Sequence, residues 1–125
     1  MATAEKKYID PKRVFFAEDI CGLKNDSSWV RNVVSHLRKN VYITIDLDVF
    51  DPSIVPSTGT PEPGGMEWYQ VLRLVRAVIE RRNVVGADVV ELCPSRNDRA
   101  PDFLAAKLVY KILSYKFRRH DKNGR

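Results

Sequence analysis

Val41-Tyr42-Ile43-Thr44-Ile45-Asp46-Leu47-Asp48 is the stretch that decides the fold of this 125-residue chain. Its first five residues are all β-branched or aromatic, the composition of a strand buried in a sheet. On both sides the apolar spacing becomes helical. Trp29, Val30, Val33, Val34 and Leu37 recur at three and four, predicting a helix from a Ser27 cap to about Lys39. Trp68, Val71, Leu72, Val75, Val78 and Ile79 predict a second helix over about 67–82. Val84 to Val90 reads as a strand, as does the short run Val14-Phe15-Phe16-Ala17. A last helix should start near Pro101, which suits a first turn, and bury Phe103, Leu104, Leu108, Ile112 and Leu113. The order β-α-β-loop-α-β-α predicts an α/β fold, a short parallel sheet flanked by helices. Ligands in such sheets bind outside the carboxyl ends of the strands, here just after Ile45 and just after Val90.

Asp46 and Asp48 stand at the first of those ends. If the strand alternation continues, both project to one side. Two carboxylates near one point repel unless a cation lies between them, and a hard ion, Mg²⁺ or Mn²⁺ before Zn²⁺, suits oxygen donors. The competing reading is a pair of loop aspartates that accept backbone N–H bonds. An apolar strand that ends in both carboxylates at the ligand-binding edge favours the metal. The following loop, residues 51–65, holds four prolines and three glycines. It is too long and stiff for a plain connector, and long structured loops tend to carry function.

Thr44-Ile45-Asp46-Leu47-Asp48, then Pro52, then Pro56-Ser57, then Gly65 resembles a signature motif of the ureohydrolase family, the arginases and agmatinases. The run from Gly59 to Gly65, Gly-Thr-Pro-Glu-Pro-Gly-Gly, looks most like the agmatinase branch. Phe16-Ala17-Glu18-Asp19-Ile20, Val89-Val90-Glu91-Leu92 and Ala105 to Tyr110 extend the resemblance over nearly the whole chain before its tail. The resemblance implies the carboxyl-terminal part of an arginase-like α/β/α fold. It further implies hydrolysis of a guanidinium substrate such as agmatine to urea and an amine (putrescine, in polyamine biosynthesis) at a binuclear Mn²⁺ centre. Asp46 and Asp48 match two of the family's metal ligands, and Glu91 matches the carboxylate that pairs with the guanidinium. That pairing also makes physical sense, because a carboxylate is the natural partner of a planar cation. Gly59 and Thr60 would rim the site with no assigned chemistry, and Asp51 is read as an Asp-Pro turn rather than a second acceptor.

The departures matter as much. The family's remaining four ligands come from a Gly-Gly-Asp-His and an Asp-Ala-His-x-Asp segment, and neither occurs here. Of the two histidines, His36 falls inside a predicted helix and His120 near the C-terminus. No catalytic residue is assigned, and the chain by itself is expected to be inactive. It is read as a fragment, a short natural protein or one half of a split enzyme, associating with itself or with a missing N-terminal half. Cys93 replaces the family's usual Asn and is read as a space-filler, not a nucleophile. Two rival readings remain. One is a non-enzymatic partner or regulatory module. The other is a phosphatase of haloacid-dehalogenase type, since Ile43 to Val49 resembles that family's first motif, although Gly86-Ala87-Asp88 is a poor match to its second.

Composition narrows the class. At 44% hydrophobic and 30% charged, the chain can bury a core and stay in solution. The net charge of +5 is uneven. The last ten residues hold five basic groups against Asp121, leaving 16 basic and 15 acidic groups elsewhere. The organisation expected is therefore one domain over 1–117 and a basic flexible tail over 118–125, with no specific nucleic-acid partner and no membrane segment. Cys21 and Cys93 are not a CxxC pair, and the start Met1 to Lys7 does not read as a secretory signal, so reduced thiols and a cytoplasmic location are expected.

Overall fold

The computed structural model describes residues 6–21 and 28–118. Its elements are α1 (Ala17–Cys21), α2 (Ser28–His36), β1 (Asn40–Asp46), α3 (Trp68–Arg81), β2 (Asn83–Val90) and α4 (Ala100–Phe117), with 3₁₀ turns at Lys6–Tyr8 and Leu47–Val49. The two strands pair in parallel, Ile43 opposite Ala87, Thr44 opposite Asp88 and Asp46 opposite Val90. The α/β class and the parallel sheet are as expected from the sequence. The first expected strand is not: residues 14–16 have no regular structure, and Ala17–Cys21 is a short helix. Phe15 instead lies edge-on to His36, at 6.0 Å between ring centroids. The proposed Ser27 cap lies outside the described residues.

The helix α2 stops at His36, short of Lys39, and its end is closed by a side chain from elsewhere in the chain. Arg82 donates from Nη2 to the Val34 carbonyl at 2.6 Å and from Nε to the Leu37 carbonyl at 3.0 Å. A cation at those carbonyls also suits the negative end of the helix dipole. The helix α3 begins as its sequence suggests, with the Glu67 amide donating to Gln70 Oε1 at 2.8 Å. Its apolar stripe, Val71, Leu72, Val75, Val78 and Ile79, is buried together with Trp29, Val30 and Val34 of α2 and Ala105, Leu108 and Ile112 of α4. On α4 the sequence expectation fails for two residues. Phe103 is 79% and Leu113 49% exposed.

The expectation of a buried β1 also fails. Ile45 is buried, but Tyr42 is 58% exposed, and Thr44 is exposed as well. Tyr42 lies over Gly86, where an added Cβ would come within 2.6 Å of the ring, so the glycine makes room for the aromatic. Tyr42 donates to Asp88 Oδ2 at 2.9 Å and Thr44 to Asp88 Oδ1 at 2.6 Å, tying the strands together across one face. The Asp88 carboxylate holds the Tyr42 phenol above its usual range, chiefly through that hydrogen bond. Lys116, one of the basic residues among the last ten, sits in α4 and donates from Nζ to the Val84 carbonyl.

Candidate metal and substrate site

The strand β1 ends at Asp46, and the chain turns at once into the 3₁₀ turn Leu47–Val49. Asp46 and Asp48 therefore meet through a cap and not through strand alternation. Asp46 Oδ1 accepts the Asp48 amide at 2.9 Å. The turn is anchored by Leu47 and Phe50, which are 0% and 1% exposed, with Phe50 stacked on Trp68 at 6.1 Å. So the loop-cap reading is realised for one oxygen of Asp46, and the carboxyl pair is still gathered at the strand end.

The loop folds back over this pair. Its two ends are joined by Asp51 N to the Met66 carbonyl at 3.2 Å and Met66 N to the Val49 carbonyl at 2.7 Å. Asp51 pins the loop from inside: Oδ1 accepts the Ser53 hydroxyl at 2.5 Å and the Ser53 amide at 2.9 Å, while Oδ2 accepts the Gly64 amide at 3.1 Å. The Ser53 hydroxyl, then the two amides, hold the Asp51 carboxyl below the usual carboxylate range. Gly65 is needed because an added Cβ would lie 2.4 Å from Asp51 N and 2.5 Å from Phe50 C.

This fold-back brings Thr60 to Asp48, where its hydroxyl donates to Oδ2. The Thr60 hydroxyl, and after it that of Thr58, hold the Asp48 carboxyl below its ordinary range. The other oxygen, Asp48 Oδ1, is buried, and although the Thr58 hydroxyl lies near enough to act on the carboxyl, neither Asp48 Oδ1 nor Thr58 Oγ1 closes a hydrogen bond of proper geometry. A buried carboxylate oxygen without a donor is costly unless a cation satisfies it.

Glu91 follows β2 directly, one residue past the Val90 that pairs with Asp46. Its Oε2 would lie 3.7 Å from a Cβ placed on Gly59, so the carboxylate reaches the same loop that holds Asp48. The residue has φ of 65°, a left-handed conformation that Glu adopts only against a steric cost. The Cys93 amide donates to the Ser57 carbonyl at 2.9 Å, linking this loop to the one before it. Cys93 is an exposed free thiol. His36 is remote in role: its Nδ1 lies 2.9 Å from the Asn32 carbonyl of its own helix. His120 lies outside the described residues.

Asp46, Asp48 and Glu91 thus lie at the carboxyl ends of the two paired strands, where Thr60, expected only to rim the site, donates to Asp48. The donor chemistry fits a hard divalent ion. The donor number does not complete a site, for no group of three or more His, Cys, Asp or Glu side chains able to hold a metal occurs among the described residues. A concavity of about 810 Å³ between α3 and α4 shares no residue with this edge; it is lined by Trp68, Arg73, Arg76, Phe103, Lys107 and Tyr115 among others. Among the described residues no helix is long and apolar enough to cross a membrane.

Comparison with known proteins accords with this arrangement. The sequence profile of the arginase family matches residues 2–114. An N(1)-aminopropylagmatine ureohydrolase from Synechocystis is 37% identical over 103 residues, covering 82% of this chain and 33% of its own length. Among solved structures, the proclavaminate amidino hydrolase of Streptomyces clavuligerus aligns with a TM-score of 0.74 at 31% identity, over 83% of this chain and 35% of that one. The agmatine ureohydrolase of Thermoplasma volcanium aligns with a TM-score of 0.72 at 27% identity, over 94% and 40%. The chain spans about a third of the length of the curated relatives it matches.

Proposed function

The chain belongs to the arginase family, and from that premise we propose that it carries one edge of a ureohydrolase site, with Asp46 and Asp48 as metal ligands and Glu91 as the substrate carboxylate. One observation carries the reading: Asp48 Oδ1 is buried at the carboxyl end of β1 without a hydrogen-bond donor. Asp46 stands beside it and keeps Oδ2 free of the cap. The haloacid-dehalogenase reading is set aside with family membership shown.

Mn²⁺ is the ion proposed, held by Asp46 and Asp48 together with donors from outside the described residues; when bound, it supplies Lewis-acid charge and lowers the pKa of water. The Thr60 hydroxyl keeps Asp48 ionised and aimed, so that the carboxylate is ready as a ligand. Glu91 faces the same loop and would pair with a guanidinium, holding its carbon toward the carboxyl pair. The names of the similar proteins support a guanidino substrate, agmatine being the one proposed. A cytoplasmic location is the one proposed, since Cys21 and Cys93 form no CxxC pair.

Two carboxylates do not hold a binuclear centre, so the chain alone should release no urea from agmatine with Mn²⁺. Replacing the aligned third of the Synechocystis relative by this chain should give a protein that releases urea. In that chimera Glu91→Gln should raise KM for the guanidino substrate with bound Mn²⁺ unchanged. Full urea release by the isolated chain, or no effect of Glu91→Gln, contradicts the reading.

A further inference from the structure

The concavity of about 810 Å³ between α3 and α4 is a groove with a two-part lining. No strand residue lines it, so it is not one of the open edges of the sheet. Trp68 and Phe103 stand near the N-terminal ends of α3 and α4, and Tyr69 beside them. Two tiers of cations follow along the helices. At about 1.5 Å per residue, Arg73 and Lys107 lie about 6–8 Å along the axes from Trp68 and Phe103, and Arg76 and Lys111 about 12 Å. No Asp or Glu lines the groove. Outside its last ten residues the chain is nearly neutral, with 16 basic and 15 acidic groups, so these four cations are gathered here and do not reflect a general excess. Glu80 pairs with Arg76 at 2.7 Å, but both side chains are more than half exposed, and such pairs are weak. The wall is held in place before any ligand arrives. Trp68 stacks on the buried Phe50 at 6.1 Å, and Arg76 and Lys111 both lie over the Tyr115 ring, at 5.9 and 6.0 Å. Tyr69 and Phe103 meanwhile leave large aromatic surfaces in water, 72% and 79% exposed.

We propose that this groove binds a nucleoside polyphosphate, its base against Trp68 and Phe103 and its phosphates among Arg73, Lys107, Arg76 and Lys111. Charge complementarity selects an anion, since four cations and no carboxylate line the groove. The aromatic end selects an anion with a flat ring, because any base stacks on an aromatic face. Guanidinium and ammonium groups are the usual partners of phosphate. Two tiers of cations suit more than one phosphate, whereas one tier would serve a carboxylate or a monophosphate. The volume falls within the range of about 300–1,000 Å³ usual for small organic ligands. The site goes beyond the proposed function and does not rest on it, for it shares no residue with Asp46, Asp48 or Glu91.

The test titrates ATP into the full 125-residue chain in EDTA, which keeps metal-bridged binding at Asp48 out of the measurement. Calorimetry and Trp68 fluorescence read it, the other tryptophan, Trp29, being buried. Saturable binding is expected, with adenosine and tripolyphosphate each at least about tenfold weaker, because each keeps only one half of the contacts. Lys107→Glu and Lys111→Glu should each weaken ATP by at least about tenfold, and Phe103→Ala by at least about fivefold. Lys107→Gln and Lys111→Gln replace any Glu variant that circular dichroism shows to be unfolded. Lys12→Glu, the same change of charge outside the groove, should leave binding unchanged, and so should removal of residues 118–125, whose basic groups attract any phosphate. Absence of saturable binding overturns the proposal. So does tripolyphosphate binding as tightly as ATP, which would mark a bare anion patch. Loss of binding on Lys12→Glu or on removal of the tail overturns it too, as does self-association of the chain that excludes ATP.

Discussion

Thr60 donates its hydroxyl to Asp48 Oδ2 across twelve residues of loop, leaving Oδ1 of the same carboxylate buried and unpaired. The loop thus fixes the carboxylate by one oxygen and leaves the other without a hydrogen bond. Ligands held in this way bind more tightly than free ones, and loss of the supporting group typically costs 10–100-fold in metal affinity. In the chimera, Thr60→Val should weaken Mn²⁺ binding by about that factor, about 10–100-fold. Titration followed by Mn²⁺ electron paramagnetic resonance reads it. An unchanged affinity would mean that Thr60 only shapes the loop.

Glu91 holds a left-handed backbone, φ 65°, that favours Gly or Asn. Strain of this kind is kept where a side chain has a task. Glu91→Asn should raise the stability of the isolated chain by about 0.5–1 kcal/mol in urea unfolding. The same change should abolish guanidino-substrate binding in the chimera. A loss of stability would show that the Glu91 side chain is structural.

Gly64 and Gly65 differ in what replaces them. Gly65→Ala places a methyl 2.4 Å from backbone that cannot swing away. Gly64 has φ of 84° but open space around it. Gly65→Ala should therefore cost about 2–3 kcal/mol and Gly64→Ala about 1 kcal/mol, in the same urea assay. Equal costs would place the loop's constraint in conformation alone.

Much of this was legible in the sequence. The helix α3 follows from an apolar periodicity that matches its burial, β1 from its β-branched and aromatic composition even though only Ile45 of Val41 to Ile45 is buried, and Glu91 from its place one residue past a parallel strand. The run Val14 to Ala17 forms no strand because a short apolar segment becomes one only beside another strand, and in the described chain Phe15 packs on His36 while Ala17 starts a helix. Phe103 and Leu113 were misplaced because α4 is apolar on more than one side, so its pattern does not say which side meets the core. Thr58 and Thr60 carry no signal of their own. Their role arises when the loop folds back, which depends on Asp51 and Gly65 acting at its two ends.

Asp51 gives the loop a pH dependence whose sign is fixed. Its carboxyl is depressed by Ser53 and the Gly64 amide, so the folded state favours the ionised form. The stabilisation is present above the unfolded carboxylate pKa of about 4 and is lost as pH falls through the lower folded value. Asp51→Asn should then lower the urea midpoint near neutral pH, with the gap to the unsubstituted chain closing in strong acid. A gap that is constant with pH would deny Asp51 this role.

Asp46 and Asp48 are proposed as ligands of a site that needs donors besides the described residues. The direct measurement is the Mn²⁺ content of the chimera by elemental analysis, with and without Asp48→Ala. The parent should retain two Mn²⁺ per chain and release urea. Asp48→Ala should stay folded by circular dichroism while losing bound manganese and turnover together. A folded Asp48→Ala protein with undiminished manganese and urea release would contradict the account.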